Sequence, residues 1–262
     1  MIEVVLGATL HDPVGRTADA ITRLTADLQA VFPTIALNVS DLTRPEVVDA
    51  AAALGATITR HVSNEAHIGR FRRDAVVQAA DGRHVLYADF DHLLRWVELG
   101  RDDLNRALAT EPDADLLVVG RSECALAQEP RRLRETERLV NHTHQLLTGE
   151  NWDLMFAIRR LSPAAVQLIA TESRIDSLAN DVEWPLLARR AGLTLGYVES
   201  DALYYRTVHE FGAEQDSGDE DPLQWIRRLE FAALHAGAMR EFLDREANRT
   251  RRGCPEISLP AG

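Results

Sequence analysis

Short apolar segments alternate with longer amphipathic ones along most of this chain, and this alternation constrains the fold more than any other feature. The apolar segments predict strands at 2–6, 34–39, 56–61, 84–88, 115–119, 155–159 and 194–198. Segments with a helical period lie between them, and a long one follows at 222–245. Strands that alternate with helices favour a mostly parallel sheet with helices on both faces. We therefore predict an α/β, Rossmann-like fold with a C-terminal helical extension.

Charge and composition exclude several classes of function. The 262 residues carry a formal net charge of −12, so the basic footprint typical of nucleic-acid binding is missing and no nucleic-acid partner is expected. All 29 basic residues are arginines, which excludes a lysine nucleophile, a lysine Schiff base and a P-loop lysine. The two cysteines, Cys124 and Cys254, indicate neither a disulfide framework nor a zinc site.

The sequence shows no pattern of membrane insertion or export. No apolar run approaches the roughly 20 residues that span a bilayer, so no integral membrane segment is expected. The start of the chain lacks a basic stretch followed by an apolar one and a small-residue cleavage site, which argues against a signal peptide. These observations favour a cytoplasmic protein.

Two carboxylates directly follow the fourth predicted strand. The apolar run 85–88 leads into Asp89, Phe90 and Asp91, so Phe90 can turn inward while both carboxylates face the crevice. Ligands of open α/β sheets bind beyond the carboxyl ends of the strands. Mg²⁺ and Mn²⁺ take carboxylate oxygens together with substrate phosphate oxygens, and such a cation neutralises a departing pyrophosphate. The bare tripeptide also occurs as a solvated loop in acidic chains, but its place at a strand end favours a metal–diphosphate site.

Over about residues 1–210, the order and spacing of four segments resemble the GT-A glycosyltransferases. They are Asn64 to Arg70 before the Asp89–Asp91 strand, Asn151-Trp152-Asp153 followed by 156–162, Asn180 to Trp184 before a helix, and Tyr204-Tyr205-Arg206 with His209. The resemblance implies the GT-A fold and a hexosyltransferase that moves a sugar from a UDP- or GDP-linked donor to a hydroxyl acceptor. The first two loops, 11–14 and 40–43, depart from the common pattern. They favour divergent soluble members similar to mannosylglycerate and glucosyl-phosphoglycerate synthases.

The same resemblance assigns a metal site. Asp89 and Asp91 would bind Mn²⁺ or Mg²⁺ and the donor diphosphate, Asp91 most directly. His209 would complete the metal shell as a neutral imidazole. The alternative for a lone histidine is a surface residue with no ligand.

Four further residues would contact the nucleotide sugar together with Asp89. Asp12 and Asp41 follow the first two strands and would approach the nucleoside, with capping of their loops as the alternative. Gly69 would let the backbone approach the nucleotide. Arg70 would pair with phosphate, and the alternative is a solvated helix face.

The acceptor side carries three candidate catalytic residues. In inverting relatives an acid at the position of Asp181 or Glu183 deprotonates the acceptor hydroxyl. Capping of the following helix by Asn180 or Asp181 is the alternative. Asp153 is a second candidate for binding or activating the acceptor, which the resemblance implies is a small molecule or lipid-like. If the enzyme retains the anomeric configuration, no general base is needed at Asp181 or Glu183.

We predict a catalytic domain over 1–210, with a nucleotide-binding half at about 1–120 and an acceptor half at about 121–210. An acidic loop, a long helix and a tail would occupy 211–262, and the loop at 214–221 either closes over the donor or serves as a solvated linker. Dimerisation through the long helix is a hypothesis. Two alternatives stay open: a non-catalytic GT-A-like protein that binds a nucleotide or a partner, and a nucleotidyltransferase, which matches the first loop poorly.

Overall fold

One sheet of seven strands forms the centre of the described part of the chain. The computed structural model describes residues 2–203 and 217–253. The strands are β1 Val4–Leu10, β2 Ile35–Ser40, β3 Thr57–His61, β4 His84–Asp89, β5 Leu116–Arg121, β6 Ile158–Leu161 and β7 Leu195–Ser200. Their order is β3-β2-β1-β4-β6-β5-β7. β6 runs antiparallel to both neighbours, and the other pairs are parallel.

Helices cover both faces of this sheet. They are α1 Ala18–Val31, α2 Pro45–Ala53, α3 Ile68–Ala79, α4 Phe90–Ala109, α5 Glu123–Ala127, α6 Arg131–Thr148, α7 Pro163–Glu172, α8 Asn180–Arg190 and α9 Pro222–Gly253. Helices α1, α2 and α4 share one buried apolar core with the sheet. Helices α3, α6, α7, α8 and α9 share a second core on the opposite face. The predicted α/β class, with a mostly parallel sheet between two helical layers, is confirmed.

β1 is longer than predicted. It continues to Leu10, whereas the sequence suggested a loop from Gly7 onward. A Cβ atom at Gly7 would lie 2.7 Å from the carbonyl oxygen of Ala75 and 3.0 Å from the Cβ of Ala79, both on α3. The glycine therefore permits a helix to pack closely across the strand, and it does not end the strand. This contact fixes how near α3 lies to the sheet.

The C-terminal helix α9 is packed against α6 and α8. Ala238 and Met239 of α9 are buried in the second core. The predicted division of the chain at residue 210 stays a prediction, although α9 shares its core with the preceding part. None of the described helices combines the length and the apolar character needed to cross a membrane.

Part of the acidic loop is ordered by the start of α6. Residues Ser217–Glu220 form a 3₁₀ turn. The Asp219 carboxylate accepts hydrogen bonds from the backbone N–H groups of Arg131 at 2.8 Å and Arg132 at 3.1 Å. It thereby caps the positive end of α6. The preceding part of the loop, 214–216, lies outside the described residues.

Candidate active site

A cavity of about 460 Å³ opens at the carboxyl edge of the sheet, between the ends of β1 and β4. The chain winds from β1 to β3 on one side and then places β4 on the other side of β1. Open α/β sheets bind ligands at this kind of switch in strand order. The cavity wall includes Thr9, His61, Asn64, Arg72, Asp89 and Asp91.

Asp89, the last residue of β4, is held by three side chains. One carboxylate oxygen accepts hydrogen bonds from the hydroxyls of Thr9, at 2.8 Å, and Tyr87. The other accepts from Nη2 of Arg72 at 2.8 Å. Burial alone would raise the pKa of Asp89, but the charge of Arg72 and the hydrogen bonds from Tyr87 and Arg72 act together against it and lower the pKa to about 2. Asp89 is therefore ionised and fixed in orientation, with both oxygens accepting from protein donors.

Asp91 differs from Asp89 although only Phe90 separates them. It lies in the first turn of α4 and is 42% exposed on the cavity wall. Nη2 of Arg95 approaches its carboxylate at 3.3 Å, a weak contact. Phe90 is fully buried, as predicted for the residue between the two carboxylates. Asp91 can therefore accept a cation from the cavity.

The described residues contain no group of three His, Cys, Asp or Glu side chains arranged to hold a metal ion. Mg²⁺ typically binds through one or two carboxylates and takes its other ligands from phosphates and water. The Asp91 carboxylate meets that requirement for a cation carried in with a diphosphate. His209, the predicted third ligand, lies outside the described residues.

Arg72 links the motif to the acceptor half of the chain. Its Nη1 donates to Oδ1 of Asp181 at 2.9 Å and to Oδ1 of Asn180 at 3.2 Å, while its Nη2 donates to Asp89. Burial opposes the charged guanidinium, but Asp89 and Asp181 outweigh this effect and raise the pKa of Arg72. This buried cation joins the end of β4 to the first turn of α8.

The link continues to the C-terminal helix. Nε2 of His235, a fully buried residue of α9, lies 3.6 Å from Oδ2 of Asp181. Its Nδ1 lies 2.7 Å from the carbonyl oxygen of Phe231. Because a carbonyl oxygen only accepts, Nδ1 is the donor in that contact. Nε2 is buried and has no hydrogen-bond partner among the described residues, so α9 reaches Asp181 by packing against the carboxylate that also binds Arg72.

Gly69 and Arg70 have other contacts than those predicted. A Cβ atom at Gly69 would lie 2.1 Å from the carbonyl oxygen of Ser177, so this glycine serves the close packing of α3 against 175–177. Arg70 lies on the exposed side of α3, where its Nε is 3.8 Å from Oδ2 of Asp74. Arg72 is the arginine of α3 that contacts the motif, and the predicted phosphate contact of Arg70 stays a prediction. The sequence did contain a signal for the buried position of Arg72, because this residue lies on the same helical face as the buried residues Gly69, Ala75, Val76 and Ala79.

Asp12 and Asp41 shape loops. Asp12 accepts hydrogen bonds from the N–H groups of Gly15 and Thr17, both at 2.8 Å, and from the Thr17 hydroxyl at 2.7 Å. Burial would raise the pKa of Asp12, but these hydrogen bonds lower it. Asp41 accepts from the N–H of Ser63 at 2.8 Å. Ser63 lines the cavity, so Asp41 positions its wall, whereas Asp12 organises the turn between β1 and α1.

Glu183 and Asp153 are both engaged in buried contacts. The Glu183 carboxylate accepts from the Ser173 hydroxyl at 2.6 Å and from the N–H groups of Arg174 at 2.8 Å and Ile175 at 3.1 Å. It does not line the cavity at the motif. Asp153 receives two hydrogen bonds from the guanidinium of Arg121, at 2.7 and 3.0 Å. These contacts give both residues structural roles, and their predicted catalytic roles stay predictions without support from this geometry.

Two features of the cavity were not predicted. His92 follows the motif directly, and its ring stacks on Phe156 with centroids 4.3 Å apart. Its Nδ1 is buried and has no hydrogen-bond partner among the described residues. His61 stacks on Phe71 at 3.8 Å, and burial lowers the pKa of His61. Each of these two stacked ring pairs gives the cavity an apolar surface with a polar edge. No sequence pattern marks either histidine, apart from its place directly after the motif or at the end of a strand.

Comparisons of the sequence with protein families and with curated proteins give no match. Solved structures do match the fold. Mannosyl-3-phosphoglycerate synthase from Rubrobacter xylanophilus aligns with a TM-score of 0.59 and 15% identity over 100% of this chain and 78% of that chain. Glucosyl-3-phosphoglycerate synthase from Mycobacterium tuberculosis, in complex with Mn²⁺, UDP-glucose and phosphoglyceric acid, aligns with a TM-score of 0.56 and 12% identity over 88% and 79%. The same enzyme with Mg²⁺ and UDP gives 0.54 and 11% over 87% and 79%. At these identities the likeness shows the fold, which is the GT-A fold expected from the sequence.

Proposed function

We propose that this protein is a glycosyltransferase that moves a sugar from a UDP- or GDP-linked donor to a hydroxyl acceptor, with Mn²⁺ or Mg²⁺ as cofactor. One observation carries the proposal: an exposed Asp91 carboxylate beside a fixed Asp89, on the wall of a cavity at the switch in strand order. Structures with the same fold hold a divalent cation with UDP or UDP-glucose, which supports this choice among the functions of α/β folds.

The two motif carboxylates would have separate tasks. Asp91 would hold the cation, which supplies positive charge to the departing diphosphate. Asp89 would keep the Arg72 guanidinium at the cavity wall, where its charge offsets the carboxylates of Asp89 and Asp181. His209 as a further ligand remains part of the proposal.

The nucleoside would lie on the β1–β3 side of the cavity. The stacked His61 and Phe71 rings offer an apolar wall, and Ser63 and Asn64 offer polar groups along it. Asp41 would act indirectly by holding the N–H of Ser63. We propose no nucleotide contact for Asp12, Gly69 or Arg70, whose described contacts lie elsewhere.

The described residues favour transfer without a protein general base. The carboxylates on the cavity wall are Glu65, Asp89 and Asp91, and Glu65 pairs with Arg227. Asp181 lies beneath them in its contact with Arg72. This distribution agrees with a course that retains the anomeric configuration, which requires no base on the acceptor side.

A thermal-shift series with UDP, GDP and their sugar conjugates, with and without Mn²⁺, tests the proposal. We expect a manganese-dependent rise in melting temperature for one nucleotide, since a ligand at 100 times its Kd adds about 2.7 kcal/mol of stability. Asp91→Asn should abolish the rise. Asp19→Asn is the matched control, because Asp19 also lies in an exposed first turn, that of α1, and should leave the rise unchanged.

Turnover separates the proposal from its main alternative. The non-catalytic, nucleotide-binding alternative is favoured by one observation, that both oxygens of Asp89 accept from protein donors. Release of UDP or GDP from the donor that binds, dependent on Mn²⁺ and on Asp91, would support the enzyme. Binding without release of the nucleotide would favour the alternative, and absence of binding would refute the proposed site.

A further inference from the structure

His61, the last residue of β3, lines the cavity at the end that lies farthest from the Asp89–Asp91 motif. The strands β3, β2, β1 and β4 are parallel neighbours in this order, so their carboxyl ends share one edge of the sheet. The ends of β3 and β4 are therefore three strand spacings, or about 14 Å, apart. A nucleoside diphosphate with its phosphates at Asp91 reaches β3 with its base, because the ribose lies between the phosphates and the base.

Hydrogen bonds behind His61 determine which of its ring nitrogens carries the proton. One atom of the Asn38 side-chain amide lies 3.0 Å from the carbonyl oxygen of Phe71. A carbonyl oxygen only accepts, so this atom is the amide nitrogen, and the amide oxygen is the atom that lies 2.9 Å from Nδ1 of His61. Because the amide oxygen also only accepts, Nδ1 of His61 carries the proton and donates it to Asn38.

This arrangement is held on both sides of the ring. Asn38 is 3% exposed within β2, and the Thr59 hydroxyl lies 3.4 Å from the same amide oxygen. The residue whose carbonyl orients the amide, Phe71, also stacks on His61, with ring centroids 3.8 Å apart and planes 22° apart. The contacts therefore fix both the tautomer and the plane of the His61 ring.

The second ring nitrogen of His61, Nε2, is an acceptor that opens to the cavity. Burial lowers the pKa of His61, so the ring is neutral at pH 7. A neutral imidazole with its proton on Nδ1 has a lone pair on Nε2. Nε2 has no hydrogen-bond partner among the described residues and is not closed off by them. This end of the cavity wall thus presents one hydrogen-bond acceptor beside an aromatic face.

We propose that His61 selects the nucleobase of the donor by accepting a ring N–H group at Nε2. The inference rests on the proposed glycosyl transfer and deepens it, because it names the class of base. Uracil carries a ring N–H at N3, and guanine and hypoxanthine carry one at N1. Cytosine and adenine have a lone pair at the same positions, which would face the lone pair of Nε2. The site therefore favours a uracil or guanine base over cytosine or adenine.

Calorimetry with the full-length protein and Mg²⁺ tests this selection with two pairs of equal size, UDP against CDP and IDP against ADP. We expect the member with the ring N–H to bind at least about tenfold tighter in the pair that fits, because its counterpart leaves Nε2 without a hydrogen bond. His61→Phe keeps a ring on Phe71 but has no acceptor, so the preference should fall below about threefold. His142→Phe is the matched control, since His142 is exposed on α6 and does not line this cavity, and it should keep the preference. Equal or tighter binding of CDP and ADP to the wild type, or an unchanged preference in His61→Phe, overturns the inference.

The tautomer of His61 gives a readout that needs no nucleotide. Two-bond ¹H–¹⁵N correlation spectra show which nitrogen of an imidazole carries the proton, and the His61 signals are those missing from His61→Phe. We expect the proton on Nδ1 at pH 7, and a shift of the Nε2 signal when UDP or IDP is added with Mg²⁺. A proton on Nε2 overturns the inference even if a nucleotide binds. The expected tautomer in a protein that binds none of the four nucleotides shows instead that the proposed function has failed, and the inference falls with it.

Discussion

Replacement of Arg72 by glutamine tests the network that supports the metal motif. The variant leaves the carboxylates of Asp89 and Asp181 close together, with 24% and 5% of their side chains exposed and without the cation between them. Removing one partner of a buried ion pair typically costs about 3–5 kcal/mol. We expect a loss of that size in the free energy of unfolding at pH 7.

The stability loss of the variant should also depend on pH, in a direction that follows from the pKa of Asp89. In the wild type the pKa of Asp89 falls from 3.8 to about 2, which corresponds to about 2 kcal/mol of stability above pH 4. A carboxyl group whose pKa is lower in the folded than in the unfolded state stabilises the folded protein at pH values above the unfolded pKa. For Asp89 this stabilisation is lost as the pH falls from about 4 to about 2. In Arg72→Gln, burial dominates and raises the pKa of Asp89 above its ordinary value. The difference in the free energy of unfolding between the wild type and Arg72→Gln should therefore be largest at pH 7 and should become smaller as the pH falls below 5.

Urea denaturation at pH 7, 5 and 4 measures both features. Arg70→Gln is the matched control, because Arg70 lies two residues away on the exposed side of α3 and pairs with Asp74 at 3.8 Å. We expect the control to change the free energy of unfolding by less than about 0.5 kcal/mol at each pH. Equal losses in the two variants, or a deficit of Arg72→Gln that widens in acid, would refute the buried network.

Further substitutions separate structural from catalytic roles. Glu183→Gln should cost about 1–3 kcal/mol of stability through its buried hydrogen bonds, and leave nucleotide release intact; loss of turnover with full stability would restore Glu183 as a base. Asp12→Ala should cost about 1–2 kcal/mol through the turn before α1 without changing nucleotide affinity measured by calorimetry, and a weaker affinity would contradict this. His235→Ala should lower both the melting temperature and the affinity for the manganese–nucleotide complex, while Arg240→Ala on the exposed side of α9 should lower neither.

Much of the sheet was predictable because most of its strands are apolar runs with a clear stop. One strand that differs, besides β1, is β6, where the prediction placed a strand at 155–159 and the structure has Ile158–Leu161. Arg159 and Arg160 make this segment look polar. In the fold both are buried, since their guanidinium groups donate to backbone carbonyls: Arg159 to Leu154 at 2.6 Å and Arg160 to Thr110 at 2.7 Å. No local pattern marks a residue such as Arg160, whose partner Thr110 lies 50 residues earlier in the sequence.

The site was predictable in one part only. Asp89 and Asp91 follow an apolar strand, so their place on the cavity wall follows from the topology of open sheets. Glu183 and Asp153 were assigned by order and spacing, and spacing does not indicate which donors surround a carboxylate. Hydrogen bonds from backbone N–H groups 8 and 9 residues before Glu183 depend on how the chain folds back before α8.

The different environments of Asp89 and Asp91 depend on how closely α3 packs. Two glycines determine that packing, because a side chain at Gly7 would meet α3 and a side chain at Gly69 would meet the backbone at 175–177. Held between the strand and that loop, α3 directs Arg72 onto Asp89 and leaves Asp91 to the cavity. A substitution at either glycine should therefore weaken cation binding at a carboxylate that it does not touch. Asp91 is left free of α3 because Arg72, 17 residues before Asp89, supplies its cation to Asp89.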